Sequence, residues 1–485
     1  MILSKLLNKV KTLTIIGNRD AEVLSVCFDS REVKEGSLFV ALRGGTSDGH
    51  DFISMAVQAG AAAVVCEAMP SDSLSATVIF VEDSHKALGI LASNFYDNPS
   101  EKLKLVGITG TNGKTTTVTL LYQLFTRLGY KCGLLSTIAN YVFEKKVEST
   151  HTTPDPVETN SLLSEMVVAG CEFCFMEVSS HSLDQSRTCG LSFTGAIFSN
   201  ITHDHLDYHK TFQEYIRVKK SFFDALPSSA FALTNIDDKN GLVMLQNSAA
   251  NKYRYSCQSA ADFNCRIIEK GLDGMLIKID NREVWTKFIG VHNAYNLLAV
   301  YSSAILLGAD KEEVLIQLSA LSSVSGRLEY LKGFNKLTVV VDYAHTPDAL
   351  ENVLKTLKDC AGENEIVTLF GCGGNRDKSK RPEMAQIAAK YSDRIIVTSD
   401  NPRFEEPEAI IEDIKAGFTI KERAGGVLFI TDRREAIKTA ILISKPGSII
   451  LVAGKGHENY QDIKGVKHHF DDKEVISEVF NQNCQ

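Results

Sequence analysis

The apolar run Leu103-Lys104-Leu105-Val106-Gly107-Ile108-Thr109 leads directly into Gly110-Thr111-Asn112-Gly113-Lys114-Thr115-Thr116. No other stretch of the chain constrains the fold as tightly. The first seven residues have the length and character of a short buried strand. The amphipathic pattern beyond the last glycine predicts a long helix over roughly 114–128. A strand that turns through glycines into a helix opens a βα unit and gathers backbone N–H groups at the helix N-terminus, where phosphate binds. Lys114 would reach the β/γ-phosphates, and Thr115 would set a hydroxyl where Mg2+ sits. The spacing departs from G-x-x-x-x-G-K-[ST], because Ile108 stands five residues before Gly113 and Gly107 stands six before it. The alternative is a tight turn with an incidental lysine. The segment reads as an ATP site with a modified loop.

The chain has 485 residues, against about 150 for one domain, so several domains are expected. Residues 1–100 form a first unit with β-rich runs at 22–28 and 37–42, a helical stretch at 51–60 and an apolar run at 61–66. Asn98-Pro99-Ser100 is turn chemistry and marks its end. The second unit, 101–330, carries the glycine loop and further strand runs at 173–178, 194–199 and 230–235. The third, 331–485, follows Gly326-Arg327-Leu328-Glu329 and has strand runs at 337–342, 366–370, 394–398 and 448–452. Strands alternating with helices predict mostly parallel sheets covered on both faces. The expected fold is α/β in three domains: a small N-terminal α/β domain, a central P-loop-type sheet and a C-terminal Rossmann-like sheet.

Charge narrows the partners. With 52 basic against 60 acidic residues the formal net charge is −8, which argues against a general nucleic-acid binder. No run approaches the ~18 apolar residues of a membrane span. The N-terminus lacks the apolar core and cleavage site of a signal peptide. Eleven scattered cysteines then fit a reducing, cytoplasmic compartment. Small-molecule substrates and a monomeric state are the expectation.

Polar clusters stand at the ends of the predicted strands, where α/β folds bind ligands. They are His151-Thr152-Thr153-Pro154, Glu177-Val178-Ser179-Ser180-His181, and the histidine-rich stretch from Asn200 to His209. Glu177 ends a strongly apolar strand, so its carboxylate emerges beside the phosphate loop and suits Mg2+, which takes few protein oxygens. The alternative is a solvated strand-end carboxylate. Zinc is disfavoured, since Cys171 and Cys174 form a lone C-x-x-C with no second ligand set.

Five motifs in register resemble the Mur ligases: Gly110 to Thr116, Glu177 to His181, Asn200 to Asp207, Asp342-Tyr-Ala-His-Thr-Pro347 and Asp400-Asn-Pro-Arg403. The resemblance spans all three units. It implies ATP-dependent amide formation in peptidoglycan precursor synthesis, with UDP-N-acetylmuramoyl-L-alanyl-D-glutamate as acceptor and an acyl phosphate as intermediate. By the same resemblance, Ser30, Gly45, Thr46 and Ser47 serve the nucleotide-sugar pocket, and Thr152, Thr153, Ser179, Gln185 and Arg187 the muramyl peptide. His151 stands where some relatives carry Asn. Glu177 and His205 match Mg2+ positions, with Thr115. Asn293 and Asn296 look like adenine-side contacts, and Arg327, Asp342 and His345 frame ATP. Lys219, rather than its neighbour Lys220, matches the family's carbamylated lysine, formed with CO2; Lys114, Lys219, Glu177 and His205 are the implied catalytic set.

Asp400-Asn401-Pro402-Arg403 resembles the signature of members that add meso-diaminopimelate. Arg403 can pair bidentately with the distal carboxylate of that amino acid, and Asp400 and Asn401 can accept from its ammonium. Arg376, Gly454 and Glu458 complete the implied pocket. The rival readings are a lysine-adding ligase, a folylpolyglutamate-synthase-like ligase and, from another class, a P-loop ATPase acting as a binding module.

Overall fold

A computed structural model describes residues 1–45, 47–69, 74–202 and 206–483. Strand Lys104–Thr109 lies inside the central sheet, and the helix Lys114–Arg127 leaves directly from the loop that follows it. Gly113 caps that helix at φ 87°, in the left-handed region that glycine occupies without strain. Gly107 has a different reason to lack a side chain. A Cβ there would sit 2.6 Å from the Phe222 ring and 3.0 Å from Val178 Cγ2.

The strand is buried on both faces, as its unbroken apolar character predicts. Val106 and Ile108 face one core, with Leu120, Leu124, Leu297 and Leu298. Leu105 faces the other, with Met176, Phe198, Leu163 and Phe222. Parallel neighbours flank it: Phe173–Glu177 on one side and Gly195–Phe198 on the other, followed by Phe231–Asn235 and Asn251–Ser256. The three strands at 173–177, 195–198 and 231–235 match the expected runs closely.

Beyond this parallel centre the sheet changes character. Phe263–Gly271, Gly274–Ile279 and Arg282–Thr286 form an antiparallel meander at one edge. The short strands Asn140–Val142 and Lys145–Val147 form a hairpin at the other. Among the described residues the sheet reaches eleven strands. The antiparallel wings went unread because their strands are half-exposed and interrupted by charge, as at Arg266, Glu269 and Lys270.

The N-terminal sheet has four parallel strands, Ser25–Cys27, Ser37–Val40, Ala63–Cys66 and Thr77–Val81, with Thr12–Ile16 antiparallel at its edge. The C-terminal sheet runs parallel through Thr338–Asp342, Ile449–Ala453, Ile366–Phe370, Arg394–Val397 and Val427–Phe429. Glu329–Lys332 pairs antiparallel at its edge, just after Gly326 and Arg327. The chain is a three-domain α/β protein.

One buried ion pair holds the working end of the C-terminal sheet. Arg433 and Asp472 are fully buried and meet in two hydrogen bonds of 2.8 Å. Arg433 also donates to Ala453 O at 3.0 Å and to Ser399 O at 3.4 Å, the residues just before Gly454 and Asp400. Breaking such a pair from one side leaves a buried charge alone, at a cost of roughly 3–5 kcal/mol. Arg433→Met should therefore lower the denaturation midpoint of the C-terminal domain sharply; an unchanged urea or thermal midpoint would refute that role.

Candidate active site

The phosphate loop is fixed from the neighbouring strand end. Asn112 N–H donates to Asn200 Oδ1 at 3.0 Å, while Ser199 Oγ and Asn200 Nδ2 donate to Asn112 O at 2.7 and 3.1 Å. Thr111 N–H donates to Asn200 O at 2.8 Å. Lys114 Nζ folds over the loop and donates to the carbonyls of Gly110 and Thr111, both at 2.9 Å. The N–H groups of the first helical turn and a cationic side chain thus converge on one hollow.

Glu177 lies beside this loop, as the sequence predicts, but as a buried carboxylate, only 1% exposed. Its Oε2 accepts from Thr115 Oγ1 at 3.0 Å and its Oε1 from Thr137 N–H at 2.7 Å. Arg327 Nη2 donates to the same Thr115 hydroxyl at 3.4 Å, and its guanidinium lies 4.7 Å from the Tyr343 ring centre. Oxygen donors with one buried carboxylate form the kind of set that Mg2+ accepts. Among the described residues no group of three or more His, Cys, Asp and Glu side chains is arranged as a metal centre. His205 lies outside the described residues, as does Thr46.

Lys219 reaches the same place from the helix Phe212–Asp224. It is 1% exposed, donates to Gly110 O at 2.9 Å and lies 4.6 Å from the Tyr215 ring centre. Lys220 points elsewhere, toward Asp224 on its own helix at 2.5 Å. Periodicity decides between them: one step along a helix turns the side chain by about 100°.

A cavity of about 320 Å3 runs from the loop to the C-terminal domain. Asn112, Gly113 and Thr116 line its floor, Asn293 and Asn296 one wall, and Arg327, Asp342 and Asp348 the far side. Asn296 Nδ2 donates to Asn293 Oδ1 at 3.1 Å, and Asn293 Nδ2 to Ile289 O at 2.9 Å, so both amides are oriented. Asp342 is buried and accepts from the N–H groups of Leu328 and Ala344 at 2.7 and 2.8 Å. Burial pushes its carboxyl above the ordinary range, while nearby Arg327 opposes the shift. His345 is exposed, its Nδ1 2.8 Å from Tyr343 O, and is not part of the cavity wall.

The sequence reading missed Asp237, Gln258 and Tyr295 in this wall. Asp237 accepts from Tyr295 OH at 2.8 Å and from the Cys257 and Gln258 N–H groups at 2.8 and 3.1 Å. The available signal was the polar run Asn235-Ile236-Asp237-Asp238 at the end of a buried strand. Asp348 was missed too. Asn112 Nδ2 donates to its Oδ2 at 2.7 Å and Thr202 Oγ1 at 3.3 Å, so two domains touch at the phosphate loop.

A second cavity, about 270 Å3, opens between the N-terminal and central domains. Phe28, Leu42, His85, His151, Gln185 and Arg187 contribute to its wall. Arg187 donates to Thr153 O at 2.9 Å and to Gln185 Oε1, and Thr153 Oγ1 donates to Glu177 O at 2.8 Å. Ser179 N–H donates to Thr153 Oγ1 at 3.1 Å, and Thr137 Oγ1 donates to Thr152 Oγ1 at 3.1 Å. The paired threonines, Ser179 and Arg187 therefore form one network leading toward Glu177. Ser30, Gly45 and Ser47 lie outside this cavity's wall; Asp29 beside Ser30 is ion-paired to Arg31.

The Asp-Asn-Pro-Arg turn faces the Gly454–Glu458 segment at the carboxyl ends of the C-terminal strands. Asn401 Nδ2 donates to Glu458 Oε2 at 2.8 Å, and Tyr343 OH donates to Glu458 Oε1 at 3.4 Å. Arg403 adopts φ 52° and donates through Nη1 to Gly374 O at 2.8 Å. Pro402 is buried beneath it, and Arg376 is exposed. Gly454 has φ 114°, and a Cβ there would strike the Asp400 carboxylate. Acidic and amide groups thus meet at this end of the C-terminal sheet, with the Arg403 guanidinium held against the Gly374 carbonyl.

Comparison with known proteins agrees with this architecture. The Mur ligase family catalytic domain matches residues 22–96, the Mur ligase middle domain 108–304, and the Mur ligase glutamate ligase domain 326–456. The UDP-N-acetylmuramoyl-L-alanyl-D-glutamate--2,6-diaminopimelate ligase of Cytophaga hutchinsonii is 56% identical over 483 residues, covering 99% of each chain. The Bacteroides fragilis protein of the same name is 52% identical with the same coverage. A solved structure bearing that name superposes with a TM-score of 0.72 at 30% identity, covering 100% of this chain and 99% of its own. With three family domains in order and end-to-end likeness to curated members, this chain belongs to the Mur ligase family.

Proposed function

We propose that this protein is an ATP-dependent ligase that joins meso-diaminopimelate to the D-glutamate γ-carboxylate of UDP-N-acetylmuramoyl-L-alanyl-D-glutamate, in peptidoglycan precursor synthesis. The observation that carries the reading is the end-to-end likeness to ligases of that name. The geometry gives it chemical sense. A carboxylate is a poor acyl donor, and phosphorylation by ATP converts it to an acyl phosphate with a good leaving group. The diaminopimelate amine then attacks, and phosphate departs as the amide forms. The enzyme's task is to position and to neutralise charge.

Lys114 and the N–H groups from Gly110 to Thr116 hold the phosphates, and Arg327 approaches from the C-terminal domain. Asn293 and Asn296 present oriented amides to the adenine side, with Asp342 framing the nucleotide from across the cleft and His345 outside that wall. Thr115 and Glu177 would hold Mg2+, which would supply positive charge to the phosphate oxygens; His205, matched to this set by motif alone, lies outside the described residues. Lys219 uptake of CO2 would replace a cation by an anion beside that set, the ammonium losing one proton to become the amine and a second leaving as the N–C bond forms and the carbamate ionises. Burial favours the neutral amine that this step requires. Thr152, Thr153, Ser179, Gln185 and Arg187 lead the muramyl peptide from the cavity between the first two domains toward the loop, with Ser30 and Gly45-Thr46-Ser47 on the nucleotide-sugar side. Asp400, Asn401, Pro402, Arg403, Gly454 and Glu458, with Arg376, receive the far end of diaminopimelate. The protein works as a cytoplasmic monomer on small molecules; no described helix is long and apolar enough to cross a membrane.

The deciding experiment supplies ATP, Mg2+, the UDP-muramyl dipeptide and either diaminopimelate or lysine, and reads product mass. The expected product carries diaminopimelate, and Arg403→Ala should reduce its formation at least tenfold. Equal use of lysine by the wild type would overturn the assignment. Lys114→Ala should abolish ADP release while UDP-substrate binding, measured by calorimetry, stays within a few-fold of wild type. Lys219→Ala should lose most activity, with partial recovery in formate or acetate, whereas Lys220→Ala should remain active. The reverse outcome would move the carbamate to the neighbouring residue.

A further inference from the structure

Lys455 stands between Gly454 and Glu458 and has no assigned part in the chemistry above. It is fully buried. Its Nζ donates to Asn401 Oδ1 at 3.2 Å and to Glu458 Oε2 at 3.3 Å, and lies 5.5 Å from the Tyr460 ring centre. Asn401 Oδ1 also accepts from Asp462 N–H at 2.9 Å. With the oxygen held by two donors, the amide Nδ2 is directed at Glu458. Lys455 thereby fixes the orientation of both polar groups that would meet an incoming ammonium.

Its charge does more than orient. Glu458, Arg403, Asp462 and Asp400 all act on Tyr460, Arg433 acts on Asp400 and Glu458, and Lys455 pairs with Glu458, so charges of both signs crowd this corner. Such a mixture suits a zwitterion. An amino-acid end that carries an ammonium and a carboxylate adds no net charge and can satisfy both signs. A lone ammonium has only the acidic half to bind, and there it finds Lys455 already paired with Glu458. Discrimination of this kind rests on a repulsive element as much as on an attractive one.

We propose that Lys455 is a specificity-determining residue that excludes amino acids ending in a single cation from the amine-acceptor pocket. This rests on the reading of that pocket as the diaminopimelate site and adds the means by which lysine is refused. Glu458 is kept partly neutralised from below, so only a substrate bringing its own carboxylate to Arg403 recovers the cost of placing another ammonium nearby.

The test compares kcat/KM for meso-diaminopimelate and L-lysine in wild type, Lys455→Met and Lys455→Arg, with KM for ATP and the UDP-muramyl dipeptide as controls. Wild type should prefer diaminopimelate; if it does not, the underlying reading fails before Lys455 is in question. In Lys455→Met, diaminopimelate use should fall at least tenfold while lysine use rises several-fold in absolute terms, with both control KM values within twofold. Lys455→Arg keeps the charge and should keep the preference. A purely structural role would depress both amino acids together, and that result, or an unchanged ratio, overturns the proposal. Should the methionine variant not fold, Lys455→Gln carries the same expectation, and its ratio of the two amino acids decides.

Discussion

Ser199 Oγ and Asn200 Nδ2 converge on the carbonyl of Asn112, and Asn200 Oδ1 takes the N–H of the same residue. This grip sets the backbone path between Thr109 and the helix that begins at Lys114. Because the path is fixed, the N–H groups of the first turn point into one hollow without reorganising when phosphate arrives. The same path brings Gly110 O within reach of Lys219 and sets Thr115 against Glu177. Side chains from three strand ends and two helices thus take their positions from one clamped loop.

The location of the site follows from parallel topology. In a parallel sheet every strand ends at the same edge, and the helices that follow start there. Glu177, Ser199, Asn235 and Thr109 end or follow strands of the central sheet, while Asp342, Asp400 and Gly454 do so in the C-terminal one. The nucleotide cavity lies between the central edge, at Ser199 and Asn235, and the C-terminal one, at Asp342.

Much of this was legible because parallel strands buried on both faces read as continuous apolar runs. The segments at 173–177, 231–235 and 366–370 are buried at every position, and the polar residues after them mark ligand edges. The antiparallel wings were not legible, since alternating exposure and charge at Arg266, Lys270 and Lys278 dilute the signal. Lys219 could be named from a motif, but its separation from Lys220 depends on which face of the helix turns inward. Asp237 is marked only by the polar residues that end its strand, and neither it nor Asp348 shows its partner in the local sequence. Their roles arise from residues more than fifty positions away, Asn112 and Tyr295, and only folding brings those together.

The bond between Asn112 and Asp348 joins the phosphate loop to the first turn of the helix Pro347–Ala361 in another domain. Hydrogen bonds to a charged group contribute roughly 1.5–3 kcal/mol each, enough to bias a domain's position and too little to lock it. The C-terminal domain is in this sense a tethered ligand of the loop, held at high effective concentration by the chain through Gly326. Linkage then runs both ways: whatever strengthens the loop's hold on phosphate must favour or oppose docking of that domain by an equal free energy. Asp348 thus ties the conformation of the phosphate loop to the position of the C-terminal domain.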